Sequence, residues 1–209
     1  AALSGRRSAG LIVLSALMIS TNWFFFIWSV QTGRATEASI GYYIFPLVSV
    51  LFGALFFAER LGRAQWLAVG LAALAVIVLT LGLGVAPWVA LIISVTCGLY
   101  GSAKKVLEAG PVVSVTAEVL VLAPIALVVL GFAHAAGQGA FGADLETTLL
   151  LLGAGPLTAT PLILFSFAAR RARMATIGLV QYLNPSLQFL VATVIFAELF
   201  TPWHAVALA

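Results

Sequence analysis

The chain has 209 residues, of which 63% are hydrophobic and only 8% charged, with a mean hydropathy of +1.16. A soluble domain carries about a quarter charged residues, so this composition cannot build a water-facing surface and predicts an integral membrane protein. The formal charge of +3 is scattered over short gaps between apolar runs, which excludes the clustered basic patch of a nucleic-acid binder, and one cysteine excludes a disulfide framework or a cysteine metal cluster.

A helix needs about 20 mainly apolar residues to cross a bilayer. Apolar runs between polar breaks predict seven full spans over residues 10–30, 38–58, 64–83, 86–103, 112–133, 147–169 and 174–198, with a stub of another over 202–209. Arg6 and Arg7 precede the first run without a small-residue cleavage site, so a fragment of a longer chain is expected rather than a signal peptide. In the first span Ser15, Asn22 and Ser29 recur every seven residues and share a face. Asn22 is the candidate for a solute pathway, while Trp23 and Trp28 read as packing or interfacial residues. The second span carries Tyr42, Phe45 and Ser49 around a helix break at Pro46, with Glu37 and Glu59 near its ends as caps or loop ion pairs.

Further along, Cys97, Gly98 and Gly101 lie in the fourth predicted span, which leads into Lys104 and Lys105. Glu118 lies inside the fifth, and an ionisable group in the membrane is a functional candidate by default. Two readings are open: a proton-coupling carboxylate, or the ion-pair partner of Lys104 or Lys105. The glycine-containing stretch from His134 to Glu146 reads as a flexible loop. In the last span Gln181, Asn184 and Gln188 stand on one face, with Pro185 as a second helix break and Glu198 near the end. That amide stripe either lines a solute pathway or makes interhelical hydrogen bonds worth about 0.6 kcal/mol each.

With seven spans, every lysine and arginine except Arg34 falls on one side of the membrane. The positive-inside bias then places the amino end in the cytoplasm and the chain in the cell inner (plasma) membrane as a multi-pass protein. Arg170, Arg171 and Arg173 read as part of that topological anchor.

Sliding the sequence on itself by 139 positions pairs Tyr43 with Tyr182, Pro46 with Pro185 and Phe57-Ala58-Glu59 with Phe196-Ala197-Glu198, and also Phe26 with Phe165 and Arg34 with Arg173. Proline and glutamate are scarce here, so their recurrence at one offset indicates an internal repeat. The shift passes an odd number of spans, which inverts the second copy. Inverted repeats mark secondary transporters, whose halves rock about a site near the midplane. The expected architecture is all-α and polytopic, with ten helices as five plus five. Residues 1–85 would hold spans three to five of the first repeat, and 86–209 spans six to nine and the start of ten. The offset matches Gln181, Asn184 and Gln188 to Tyr42, Phe45 and Ser49, a set of amides, aromatics and a hydroxyl suited to a small amphipathic solute.

Several stretches resemble one family. They are Asn22-Trp23-Phe24-Phe25-Phe26-Ile27-Trp28, Glu37-Ala38-Ser39-Ile40-Gly41-Tyr42-Tyr43, Pro46-Leu47-Val48-Ser49-Val50, Glu59-Arg60-Leu61, Gln65-Trp66, Pro87-Trp88, Tyr100-Gly101, Ala168-Ala169-Arg170-Arg171, and Gln181-Tyr182-Leu183-Asn184-Pro185-Ser186-Leu187-Gln188-Phe189. Together they resemble the RarD-type EamA permeases of the drug/metabolite transporter superfamily, with departures at Phe45 and at Ala103-Lys104-Lys105. The resemblance implies ten helices, cytoplasmic termini and export of small metabolites or drugs, amphenicols among them.

An intramembrane enzyme would need an acid pair or a serine with a histidine base, whereas His134 and His204 fall near or beyond span ends. A non-transporting structural or assembly protein is the alternative reading, since small residues also serve close helix packing. No glycine-rich phosphate loop or metal motif suggests a cofactor. The expected partners are a small-molecule substrate and the lipid bilayer, with a homodimer left open.

Overall fold

The computed structural model describes residues 5–83 and 88–183, and the regular structure among them is helical. The helices are α1 (Arg6–Gln31), α2 (Ala35–Phe57), α3 (Arg63–Leu83), α4 (Trp88–Val106), α5 (Pro111–Ala135), α6 (Leu145–Ala169) and α7 (Met174–Gln181). Among the described residues five stretches are long and apolar enough to cross a membrane: α1, Ile40–Phe57 within α2, α4, α5 and α6. The chain is a multi-pass, all-helical membrane protein. In hydrocarbon every backbone N–H and C=O must be satisfied within the segment, and continuous helices do this.

The described helices fall on the predicted spans with ends that differ by up to four residues: α1 and α5 extend past both ends of theirs, whereas α2 stops at Phe57 and α4 starts at Trp88. The helix break expected at Pro46 is not seen, since α2 runs through that residue, because a proline removes one backbone hydrogen bond and the neighbouring turns hold the helix. Asp144 sets one of the shifted ends. Its carboxylate accepts the Thr147 backbone N–H at 2.7 Å and closes the amino end of α6, so the helix starts at Leu145, inside the stretch expected to be a loop. The backbone amide of Thr147 holds the Asp144 carboxyl below the usual range. Of the last predicted span the first turns are described, whereas Asn184, Pro185, Gln188, Glu198 and the terminal stub lie outside the described residues.

The chain divides into two compact units. One contains residues 1–17 and 103–171, with a small core of Ile12, Leu107 and Ala109 against Leu11 and Ala117. Arg170 secures its α4–α5 connection by donating to the carbonyls of Ala109 at 3.0 Å and Glu108 at 3.3 Å. Much of the α5–α6 hairpin exposes leucines such as Leu127, Leu130, Leu150 and Leu157, a surface that suits lipid.

The other unit contains residues 18–102 and those from 172 onward. Glycines set its helix contacts. Gly41 lies against Ala90 and Ile93, and Gly98 against Val48 and Phe52, so α2 and α4 run parallel. The hydrogen bond from Asn22 to Ile93 and the ring contact of Phe25 with Trp88 make α1 antiparallel to α4. Met174 beside Gly53, and Gly178 beside Pro46, make α7 antiparallel to α2. Within this unit odd- and even-numbered members of these helices point opposite ways, as successive crossings require.

Candidate functional site

Asn22, Tyr42, Phe45, Ser49 and Gln181 all fall in the second unit. Asn22 is 2% exposed, and its Nδ2 donates to the Ile93 carbonyl at 2.7 Å and the Thr96 hydroxyl at 3.3 Å. Thr96 in turn donates to the Ile92 carbonyl at 2.6 Å. The amide nitrogen of Asn22 therefore fastens α1 to α4, a packing contact at a residue the sequence offered for the pathway. Ser29 likewise turns inward, donating to the Phe25 carbonyl at 2.6 Å.

On α2, Tyr42 is half-buried and meets Phe26 edge-on at 5.7 Å, while Phe45 is buried. Ser49 is fully buried, and its Oγ has no hydrogen-bond partner among the described residues. Such a hydroxyl is costly in hydrocarbon. It faces a close helix crossing. A Cβ at Gly178 would stand 2.6 Å from the Pro46 carbonyl oxygen and 3.0 Å from Ser49 Cβ, so α7 passes with its bare backbone on α2. Gln181, partly buried, lies three residues further along the same helix.

Glu59 caps this crossing. Its Oε1 accepts the Met174 N–H at 2.9 Å and its Oε2 the Ala175 N–H at 3.1 Å, so the carboxylate satisfies two otherwise orphaned donors at the start of α7 and opposes that helix's positive end. Sequence had suggested a cap or a loop ion pair for Glu59 without indicating which helix. The side chain of Glu37 lies outside those described.

Glu118 belongs to the first unit. Lys104 Nζ stands 2.5 Å from its Oε1, and both side chains are buried. Ser15 also donates to that oxygen, and Lys104 donates to Ser114 at 2.6 Å. Between the two lysines left open by the sequence, the partner is Lys104. Elsewhere in this unit a cavity of about 740 Å³ opens at the end of α5, lined by Leu127, Leu130, His134, Gln138, Phe141 and Leu151, and it contains none of the candidates.

Lys104, Ser114 and Gly178 carry more of these arrangements than sequence reasoning assigned them. A signal existed for Gly178, which sits three residues before Gln181 on the face of the amide stripe. Lys104 is buried beside Tyr100 and Ala103 on α4, whereas Lys105 is partly exposed.

The EamA-like transporter family profile matches residues 2–81. Protein RarD of Streptomyces exfoliatus is 43% identical over 201 residues, covering 96% of this chain and 64% of that protein. An uncharacterized transporter of Vibrio cholerae is 36% identical over 204 residues, covering 97% of this chain and 68% of that protein. The chloramphenicol-sensitive protein RarD of Pseudomonas aeruginosa is 31% identical over 189 residues, covering 90% and 63% respectively. No solved structure matches the chain significantly. The chain belongs to the EamA-like transporter family, as a permease of the RarD type. It spans about 64% of the length of the first of these relatives.

Proposed function

We propose that the protein is a secondary transporter that exports small amphipathic metabolites or drug-like solutes, amphenicols among the compounds to test, by alternating access in the cell inner membrane with its amino end cytoplasmic. The observation that carries this reading is the Ser49 hydroxyl, closed beneath the Gly178 crossing and without a hydrogen-bond partner among the described residues. A scaffold built only for packing gains by satisfying that group, whereas a transporter needs polar groups that meet a solute once the crossing opens. Helix boundaries support the inverted repeat: α1 and α6 start at Arg6 and Leu145, and α2 and α7 at Ala35 and Met174, the same offset that pairs the sequence motifs. On this reading residues 1–85 and 86–209 belong to opposed five-helix halves, and Tyr42, Phe45 and Ser49 face the solute with Gln181, Asn184 and Gln188. The test is flux of amphenicols, amino acids and other small metabolites in vesicles containing the full-length parent. Ser49→Ala should change apparent affinity or selectivity while leaving the melting temperature within a few degrees, whereas Phe45→Ala, which empties a buried site, should change selectivity and also lower the melting temperature. Absence of flux across the panel, with Ser49→Ala raising stability, would favour a structural or assembly protein.

A further inference from the structure

Glu118 and Lys104 make a charged pair inside the first unit, with side-chain exposures of 4% and 0%. An isolated charge in the membrane is costly, and removing one member of a buried pair leaves the other uncompensated. The neighbourhood supplies more than the pair itself. Ser15 of α1 donates to Glu118 Oε1, Lys104 of α4 donates to the same carboxylate and to Ser114, and Ser114 of α5 donates to the Pro111 carbonyl at 3.3 Å. Two donors from different helices thus converge on Glu118, and Lys104 also donates to Ser114. Lys104 is the charged group that faces the carboxylate from α4, and α1 presents the uncharged Ser15. None of the solute-facing candidates belongs to this unit.

We infer that Lys104, Glu118, Ser15 and Ser114 form a fixed, electroneutral clamp holding the first half of α1 to the α4–α5 hairpin, and that Glu118 carries no transported proton. The second statement rests on the transporter reading, and the first does not. The clamp joins helices by charge where the local apolar core is small. A carboxylate used in coupling must exchange its proton during each cycle, whereas this one is engaged at contact distance by a cation with no exposed surface.

Stability of the full-length parent in detergent tests the clamp. Lys104→Met and Glu118→Gln should each lower the melting temperature by on the order of 10 °C, and the combined Lys104→Met/Glu118→Gln protein should return to within a few degrees of wild type. Single variants as stable as wild type, or a double variant as unstable as either single, would overturn it. The proton statement is tested in native membranes with dicyclohexylcarbodiimide, which modifies membrane-embedded carboxyl groups that take up protons, followed by peptide mass mapping. Glu118 should remain unmodified in wild type. Its modification there would overturn the second statement alone. Neither measurement requires flux, so failure of the transporter reading is registered separately.

Discussion

Ala58 is the one described non-glycine residue with a left-handed backbone, at φ 49° and ψ 33°, and it ends α2. Its Cβ is unfavourable in that conformation, yet the turn lets the Glu59 N–H reach back to the Gly53 carbonyl at 3.1 Å and aims Glu59 at α7. Ala58→Gly should therefore raise stability by about 1 kcal/mol, read as an increased melting temperature, with flux unchanged. Gly178 presents the opposite constraint. Its added methyl would meet a backbone carbonyl, which cannot rotate aside, so Gly178→Ala must separate α7 from α2. The expected result is a lowered melting temperature and reduced flux, and Gly178→Val should do worse. Equal stability of Gly178→Ala and wild type would show that the crossing is looser than the contact distances require.

Caps decide where helices begin and what they hold. Replacing Glu59 by Ala removes two acceptors from the start of α7 and should cost about 1 kcal/mol, with Glu59→Gln milder because an amide oxygen still accepts one N–H. Thermal melting of both variants checks the order. Asp144 provides the pH test. Because its folded carboxyl is held below the ordinary value by the Thr147 amide, the cap contributes fully above the ordinary carboxylate range and is lost as pH falls through the depressed value. Hydrogen exchange at the Thr147 amide, corrected for its intrinsic pH dependence, should therefore accelerate on acidification in wild type and be fast throughout in Asp144→Ala. Spans were legible in the sequence because hydrophobic length is a local property. Their ends were less so, since Asp144 and Glu59 act through backbone groups that no residue pattern marks. The same blindness applies to Asn22: its polarity within an apolar span was visible, but its principal partner is the carbonyl of Ile93, a group every residue possesses. For Glu118 the sequence reached the right pair of lysines. Burial separates them: Lys104 lies with Tyr100 and Ala103 on the buried side of α4, and Lys105 does not.

At the scale of the molecule, α1 and α7 of the second unit run opposite to α2 and α4, as alternating crossings of a bilayer require. Single cysteines replacing Glu108 and Arg171, in a full-length protein lacking Cys97, should react with an impermeant maleimide only from the cytoplasmic face, and one at Gln138 only from outside. Labelling of Gln138 and Arg171 from one face would remove a crossing between them. The buried charges also bear on biosynthesis. Only ten positions separate Lys104 from Ser114, with Glu118 about one turn beyond, so the cation can find its partners while α4 and α5 form a nascent hairpin at the insertion machinery. A lysine or an acid entering the bilayer alone is penalised by about 2.5–3.5 kcal/mol on insertion scales; entering together, they cross as a neutral unit. The order of synthesis thus places the countercharge within reach as the segment that needs it partitions into lipid.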